Sequence, residues 1–228
     1  MQLPEILFGN SYLKLAHVAS GTSLVFTAQE ALQQWMQLFK EDKFEVIKVP
    51  EAEGWQRRPM ADQIKREEYD WTWGTDYPGS LHSDDKESSE EGRKWCDCEE
   101  SGMDMELLQD QSTPITMYDE VTLFQDFIHD HGFVELSAKI RIMPQFWYVL
   151  LRYWLRVDGV LMKVIDTRVY HNFDSASVFR TTSQKSVKWG ELRGKGGSED
   201  PKQYKDSRAA GPYMSSSEEP RHQVLQLK

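Results

Sequence analysis

The chain has 228 residues, 39% of them hydrophobic and 12% aromatic, with a formal net charge of -10. That is enough apolar material for one domain with a sizeable core. An acidic surface repels phosphate backbones and anionic lipid, which argues against nucleic acid and membrane surfaces as partners. The same charge suits a partner with a basic patch, or solubility alone. The longest apolar run, Phe146 to Leu151, stops at Arg152, far short of the ~20 residues of a membrane span. Met1 to Phe8 lacks the basic start and long apolar run of a secretory leader. Two cysteines, Cys96 and Cys98, are too few for a disulfide framework. They fit reduced thiols and a cytoplasmic location.

In chain order, Ile6-Leu7-Phe8 meets a turn at Gly9-Asn10, and Tyr12, Leu13 and Leu15 resume an extended pattern. Ser23 to Phe26 reads as a short strand. Thr27 is placed to cap a helix, with Glu30 in the capping-box position. The helix is expected from Ala28 to about Phe39, with Ala31, Leu32, Trp35, Met36 and Phe39 on one face. Phe44 to Val49 reads as a strand ended by Pro50. In Tyr69 to Tyr77, large aromatics alternate with Asp and Thr. That pattern fits a strand with one buried aromatic face, or an exposed recognition surface.

Residues 83–102 carry Ser, Asp, Glu and Lys with few hydrophobes, the composition of a mobile acidic loop. Apolar content returns at Met103 to Leu108 and is broken by Pro114; Val121, Leu123 and Phe127 fit strand or helix equally. Val134, Leu136, Ala138, Ile140 and Ile142 alternate with polar residues, a half-buried strand. Gly132 is expected to supply a positive φ in the turn before it. Tyr148 to Val157 and Val160 to Tyr170 flank Asp158-Gly159, the signature of a two-residue hairpin loop. That register sets Val157 against Val160, Leu155 against Met162 and Tyr153 against Val164. Beyond Asn172 order is expected to decay, with a last short element at Val187 to Leu192. Residues 194–228 read as a disordered tail.

Asp166 continues the apolar face of Val160, Met162 and Val164, where a carboxylate is costly unless paired. Arg168 on the same face could neutralise it, making a structural pair; otherwise Asp166 is a polar anchor for a partner. His129, Asp130 and His131 could ligate a metal in a hydrolase, but adjacent turn residues seldom converge on one ion. No phosphate loop, zinc-protease helix or nucleophile elbow is present. The residues by themselves lead to an acidic α+β single domain of antiparallel β-sheets with a few flanking helices. No catalytic residue, metal site or cofactor is indicated.

Several segments resemble the TIPRL (TIP-forty-one-like) family of type 2A phosphatase regulators. They are Leu3-Pro4-Glu5-Ile6-Leu7-Phe8-Gly9, Tyr69-Asp70-Trp71-Thr72, Thr75-Asp76-Tyr77, Glu106-Leu107-Leu108, Pro114-Ile115 and Tyr118-Asp119-Glu120-Val121. Leu123-Phe124, Lys139-Ile140-Arg141, Met143-Pro144, Leu150-Leu151-Arg152, Leu155 to Val160 and Asp166-Thr167-Arg168 complete the set. The order and spacing of these motifs make the resemblance specific, and it defines a domain over residues 1–193.

The resemblance implies a non-enzymatic protein that binds catalytic subunits of type 2A-like serine/threonine phosphatases and restrains them. It further implies a place in TOR signalling and contact with a phosphatase-associated regulator of that pathway. The alternative is an assembly factor or scaffold that holds the catalytic subunit without inhibiting it. Four partner-binding positions carry over: Asp166 directly, Val164 in place of Met, Met103 in place of a branched aliphatic and Glu30 in place of Asp. Family members carry a further N-terminal segment ahead of the Leu-Pro-Glu motif, and its loss would leave a sheet edge unpaired.

Overall fold

The computed structural model describes residues 3–40, 75–83, 94–128, 131–216 and 218–227. The elements in chain order are β1 (Ile6–Leu7), β2 (Tyr12–His17), β3 (Thr22–Thr27), α1 (Ala28–Lys40), β4 (Ser80–Ser83) and β5 (Cys96–Cys98). They continue with α2 (Met105–Gln109), β6 (Met117–Asp126), β7 (Gly132–Ile142), β8 (Phe146–Val157), β9 (Leu161–Asn172) and β10 (Ser177–Lys188). The last are α3 (Ser207–Ala210), β11 (Ser215–Ser216) and β12 (Arg221–Gln226). A large antiparallel sheet runs β1-β6-β7-β8-β9-β10-β12-β5, with β11 also on β10, and a small sheet runs β2-β3-β4. The α+β class expected from the sequence is what the chain adopts.

The period-two pattern explains the main core. Val134, Leu136, Ala138 and Ile140 of β7 pack with Val149, Leu151, Tyr153 and Leu155 of β8 and with Ile165 and Val169 of β9. The small sheet and α1 cover this face through Leu24, Phe26, Ala31 and Leu32. The start of α1 forms as expected, with the Glu30 amide donating to Thr27 Oγ1 at 3.2 Å. Trp35 is buried on the predicted face, whereas Met36 is exposed. The strand expected at Phe44 to Val49 and most of the aromatic run at 69–74 lie outside the described residues. Thr75 and Tyr77 are buried without being in a strand.

Three groups of expectations are corrected, the first being the two turns. The hairpin loop after β8 holds three residues, because Val157 pairs with Leu161. Gly159 alone takes positive φ, 76°, and the Val160 amide closes the turn onto the Val157 carbonyl at 3.0 Å. A two-residue loop needs positive φ at both positions, and Asp158 does not supply it. Every cross-strand pair is thereby shifted by one: Leu155 faces Lys163, and Arg152 faces Asp166. In the turn before β7, the positive φ belongs to Ile128, at 57°. Asp126 Oδ1 accepts from the Ile128 amide at 2.7 Å, and the Ile128 side chain is fully buried, which offsets the strain of a β-branched residue there. Gly132 is needed for another reason: a Cβ there would run into the Arg156 carbonyl oxygen of β8.

The second correction concerns the order expected to decay after Asn172. β10 is a full strand between β9 and β12. Its side chains are mostly polar, so backbone pairing on both edges, and no apolar period, makes it a strand. The third concerns the segments read as mobile or disordered. Of the loop expected at 83–102, residues 84–93 lie outside the described residues, but Ser83 ends β4 and Cys96–Cys98 forms β5 against β12; the described residues beyond 193 are folded. Leu192, Tyr204 and Ala210 cover Trp154, Met162, Val164 and Val187 on the second face of the sheet. Arg156 ties this cover down by donating to the carbonyls of Pro201 at 3.3 Å and Tyr204 at 2.8 Å.

Two predictions follow from this packing. A chain ending at residue 193 should lose cooperative unfolding. It uncovers four large apolar side chains worth about 1.5–3 kcal/mol each, comparable to the ~5–15 kcal/mol of a whole domain; circular dichroism on heating measures this. Gly132→Ala should destabilise by about 1–3 kcal/mol in urea unfolding, because it overpacks against backbone. Gly102→Ala, which meets only the Phe179 ring, should cost less.

Candidate functional site

The second face of the large sheet is apolar at its two ends and polar in the middle. At one end the 189–214 cover packs on Trp154, Met162 and Val164. At the other, Met103, Leu107 and Leu108 pack on Met143, Phe146 and Tyr170. α2 there is capped by Asp104, whose carboxylate accepts from the amides of Glu106 and Leu107.

Between the two covers lies Asp166. Its residue is only 5% exposed, and three guanidinium hydrogen bonds converge on its carboxylate. Arg152, directly opposite on β8, donates from Nε to Oδ1 at 2.7 Å and from Nη2 to Oδ2 at 2.8 Å. Arg168 donates from Nη2 to Oδ2 at 2.7 Å. The guanidiniums are fixed in turn, Arg152 Nη1 to Ser207 Oγ at 3.1 Å and Arg168 Nη1 to Ser183 Oγ at 3.0 Å. Hydrogen bonding by Asp166 raises the Arg152 pKa above its already high ordinary value. The bidentate fork is the strong form of this interaction.

Beside the cluster a polar cleft of about 250 Å³ opens between β7, β8 and the start of α3. Ser137, Lys139, Arg152 and Trp154 form its sheet wall, and Lys205 and Arg208 stand on the opposite side. Asp206 caps α3, accepting from the amides of Arg208 at 2.8 Å and Ala209 at 3.1 Å. Trp154 is buried, and its Nε1–H has no acceptor among the described residues.

The four sequence-derived partner positions divide between the faces of the sheet. Met103, Val164 and Asp166 all belong to the second face; Glu30, on α1, lies with the layer covering the first. Met103 is 8% exposed and Val164 7%, and both pack inside the chain's own clusters. The Asp–Arg pair proposed from sequence is present, with Arg152 as a second and stronger partner. The groups that this cluster turns to solvent are the outer edges of Arg152 and Arg168. The sequence reading missed Arg152 because the assumed two-residue loop set Asp166 against Leu151.

Glu30 is half-buried. Its carboxylate accepts from the Tyr77 hydroxyl at 3.0 Å and meets His82 Nε2 at 2.9 Å. Burial pushes its pKa up, but hydrogen bonds from Ser80, Tyr77 and His82 outweigh this and hold it below the ordinary value of 4.5. Burial and the neighbouring Glu30 charge push the Tyr77 phenol well up. His129 and Asp130 lie outside the described residues. Among the described residues no three His, Cys, Asp or Glu side chains are grouped to hold a metal, and no helix is long and apolar enough to cross a membrane.

Residues 6–193 match the TIP41-like family, and the chain belongs to it. It is 36% identical over 206 residues to a TIP41-like protein of Arabidopsis thaliana, covering 85% of this chain and 69% of that protein. It is 35% identical over 193 residues to a human TIP41-like protein, covering 83% and 66%. It is 31% identical over 213 residues to a Saccharomyces cerevisiae protein named type 2A phosphatase activator TIP41, covering 86% and 56%. The chain thus spans about two thirds of the length of the plant and human relatives.

The Glu30 network sets an acid limb. A carboxylate with a lowered folded pKa stabilises fully above its unfolded value and loses that contribution as pH falls through the folded value. Glu30→Gln should therefore lower the melting temperature at pH 7, with the difference from wild type shrinking below pH 4.5. Thermal unfolding across pH measures this.

Proposed function

We propose that this protein is a non-enzymatic regulator that binds the catalytic subunit of a type 2A-like protein phosphatase. The observation that carries this reading is the relationship to two yeast proteins named type 2A phosphatase activator. They align with 86% and 73% of this chain. The docking surface proposed is the polar middle of the second sheet face. There the Arg152 and Arg168 edges offer bidentate donors to a carboxylate of the partner. Asp166 serves as a positioning residue: it holds two flexible guanidiniums in one fixed arrangement, which lowers the entropy lost on binding. Met103 and Val164 brace the covers at either end. Glu30 belongs to a separate contact on the opposite side. The setting proposed is TOR signalling in the cytoplasm, together with a phosphatase-associated regulator of that pathway.

Restraint of the phosphatase is the effect that the family resemblance implies. The word activator in the yeast names favours a second reading, in which the chain holds the catalytic subunit during assembly without inhibiting it. Phosphatase turnover with and without this chain separates the two: a fall supports restraint, and an unchanged or raised rate supports assembly.

Binding itself is tested with purified components. The wild-type chain should retain the catalytic subunit, and Asp166→Asn should weaken retention at least tenfold. The same change should destabilise the chain by about 2–3 kcal/mol, less than the ~3–5 kcal/mol of a fully buried pair, because the arginines are partly solvated. Binding is therefore compared at a temperature where circular dichroism shows both chains folded. Failure of the wild type to bind, or equal retention by the variant, would overturn the proposed surface.

A further inference from the structure

Arg180, on β10, is 6% exposed and has no carboxylate within ion-pair reach among the described residues. Its Nε and Nη2 both donate to one neutral oxygen, Gln223 Oε1, at 3.0 and 2.6 Å. Its guanidinium lies 4.0 Å from the centre of the Trp95 ring. Gln223 in turn donates from Nε2 to Asp97 at 2.9 Å, and Asp97 is itself engaged by Arg221. Buried cations are normally paired, because desolvation without a counter-ion is costly. Burial, together with the nearby Arg221 charge, lowers the pKa of Arg180 to about 10.

The Arg180 guanidinium opens on a cavity of about 400 Å³ between β10, β12 and the layer of α1. Thr182, Gln184 and Gln34 supply neutral hydrogen-bonding groups in its wall. Asp76, Glu218 and Glu219 line it too, all three exposed, as does the exposed Arg221, whose guanidinium is already held by the Asp97 carboxylate. The cavity is thus positive at its buried end and negative at its mouth, and its volume is that of a small-molecule pocket.

We propose that this cavity binds a small zwitterion bearing one carboxylate and one ammonium group. The carboxylate pairs with Arg180 inside, and the ammonium faces Asp76, Glu218 and Glu219 at the mouth. A simple anion would pay for passing those three carboxylates on a chain of net charge -10. A simple cation would meet Arg180. Only a ligand with both charges gains at each end. The site is independent of the phosphatase reading, since Arg180 lies on the sheet face opposite Asp166.

The test is a titration of the full chain, following the Arg180 Nε–Hε nuclear magnetic resonance signal. The probes are 4-aminobutanoate, butanoate and butylamine. The expected result is a saturable shift with 4-aminobutanoate, affinity at least fivefold weaker for butanoate, and no saturable shift with butylamine. Replacing both Glu218 and Glu219 by Gln, exposed changes that leave the core untouched, should narrow the gap between the two carboxylates to less than twofold. Thr182→Val should weaken 4-aminobutanoate while preserving the fold. The proposal is overturned if 4-aminobutanoate gives no saturation by roughly 10 mM, ten times a 1 mM dissociation constant. It is equally overturned if butanoate binds as tightly to the wild type, or if Arg180→Met remains folded and takes up 4-aminobutanoate as wild type does in isothermal titration calorimetry, which does not need the arginine signal.

Discussion

Strands β8 and β9 carry apolar side chains on both faces, and a sheet that is greasy on both sides has to be covered twice. Most of the molecule follows from that constraint. The first face takes the small sheet and α1. The second takes two separate covers, one built from residues near Met103 and the other from the segment that follows β10. Among the described residues the two covers form separate clusters. The strip left between them cannot be apolar, and there Asp166 binds Arg152 and Arg168. A buried ion pair gives little net stability against an apolar alternative, but it fixes the β8–β9 register, because a slip by one residue would leave a carboxylate against leucine.

The strips of regular alternation were legible in the sequence because burial on one face writes itself as a period of two. β7 and most of β8 and β9 belong here. The N-cap at Thr27 was legible for a different reason: a hydroxyl and a glutamate at fixed spacing have few other local uses. The polar strand β10 was not legible. Ser177 to Lys188 alternates poorly because polar residues occupy both its faces, and its strand character comes from neighbours on both edges. The covering segment after residue 193 was likewise hidden. Its apolar residues, among them Leu192, Tyr204 and Ala210, are spread among glycines and charges in short 3-10 turns and the single turn of α3, which have no period to detect.

The candidate site was half visible. Asp166 stood out as a carboxylate on an apolar face, and Arg168 was its correct partner. Arg152 was concealed by the loop length, since Asp-Gly announces a two-residue connection while the backbone makes one of three. Arg180 gave no sign at all. An arginine among serines and threonines reads as solvent-exposed, and only the tertiary placement of Trp95, from far up the chain, shows that it is enclosed.

The order of strands has a consequence for how the molecule is made. β12 sits between β10 and β5, so β5 cannot join the sheet until β12 has been synthesised. Arg221 and Asp97, which clasp these two strands, stand 124 residues apart. While the ribosome is still translating, β10 presents a bare edge, and the two cysteines of β5 have no neighbouring strand to hold them. Pairing so distant in the chain is slow, and an open edge invites association with other chains. A nascent polypeptide of this design needs protection late in its own synthesis, after the central meander has formed.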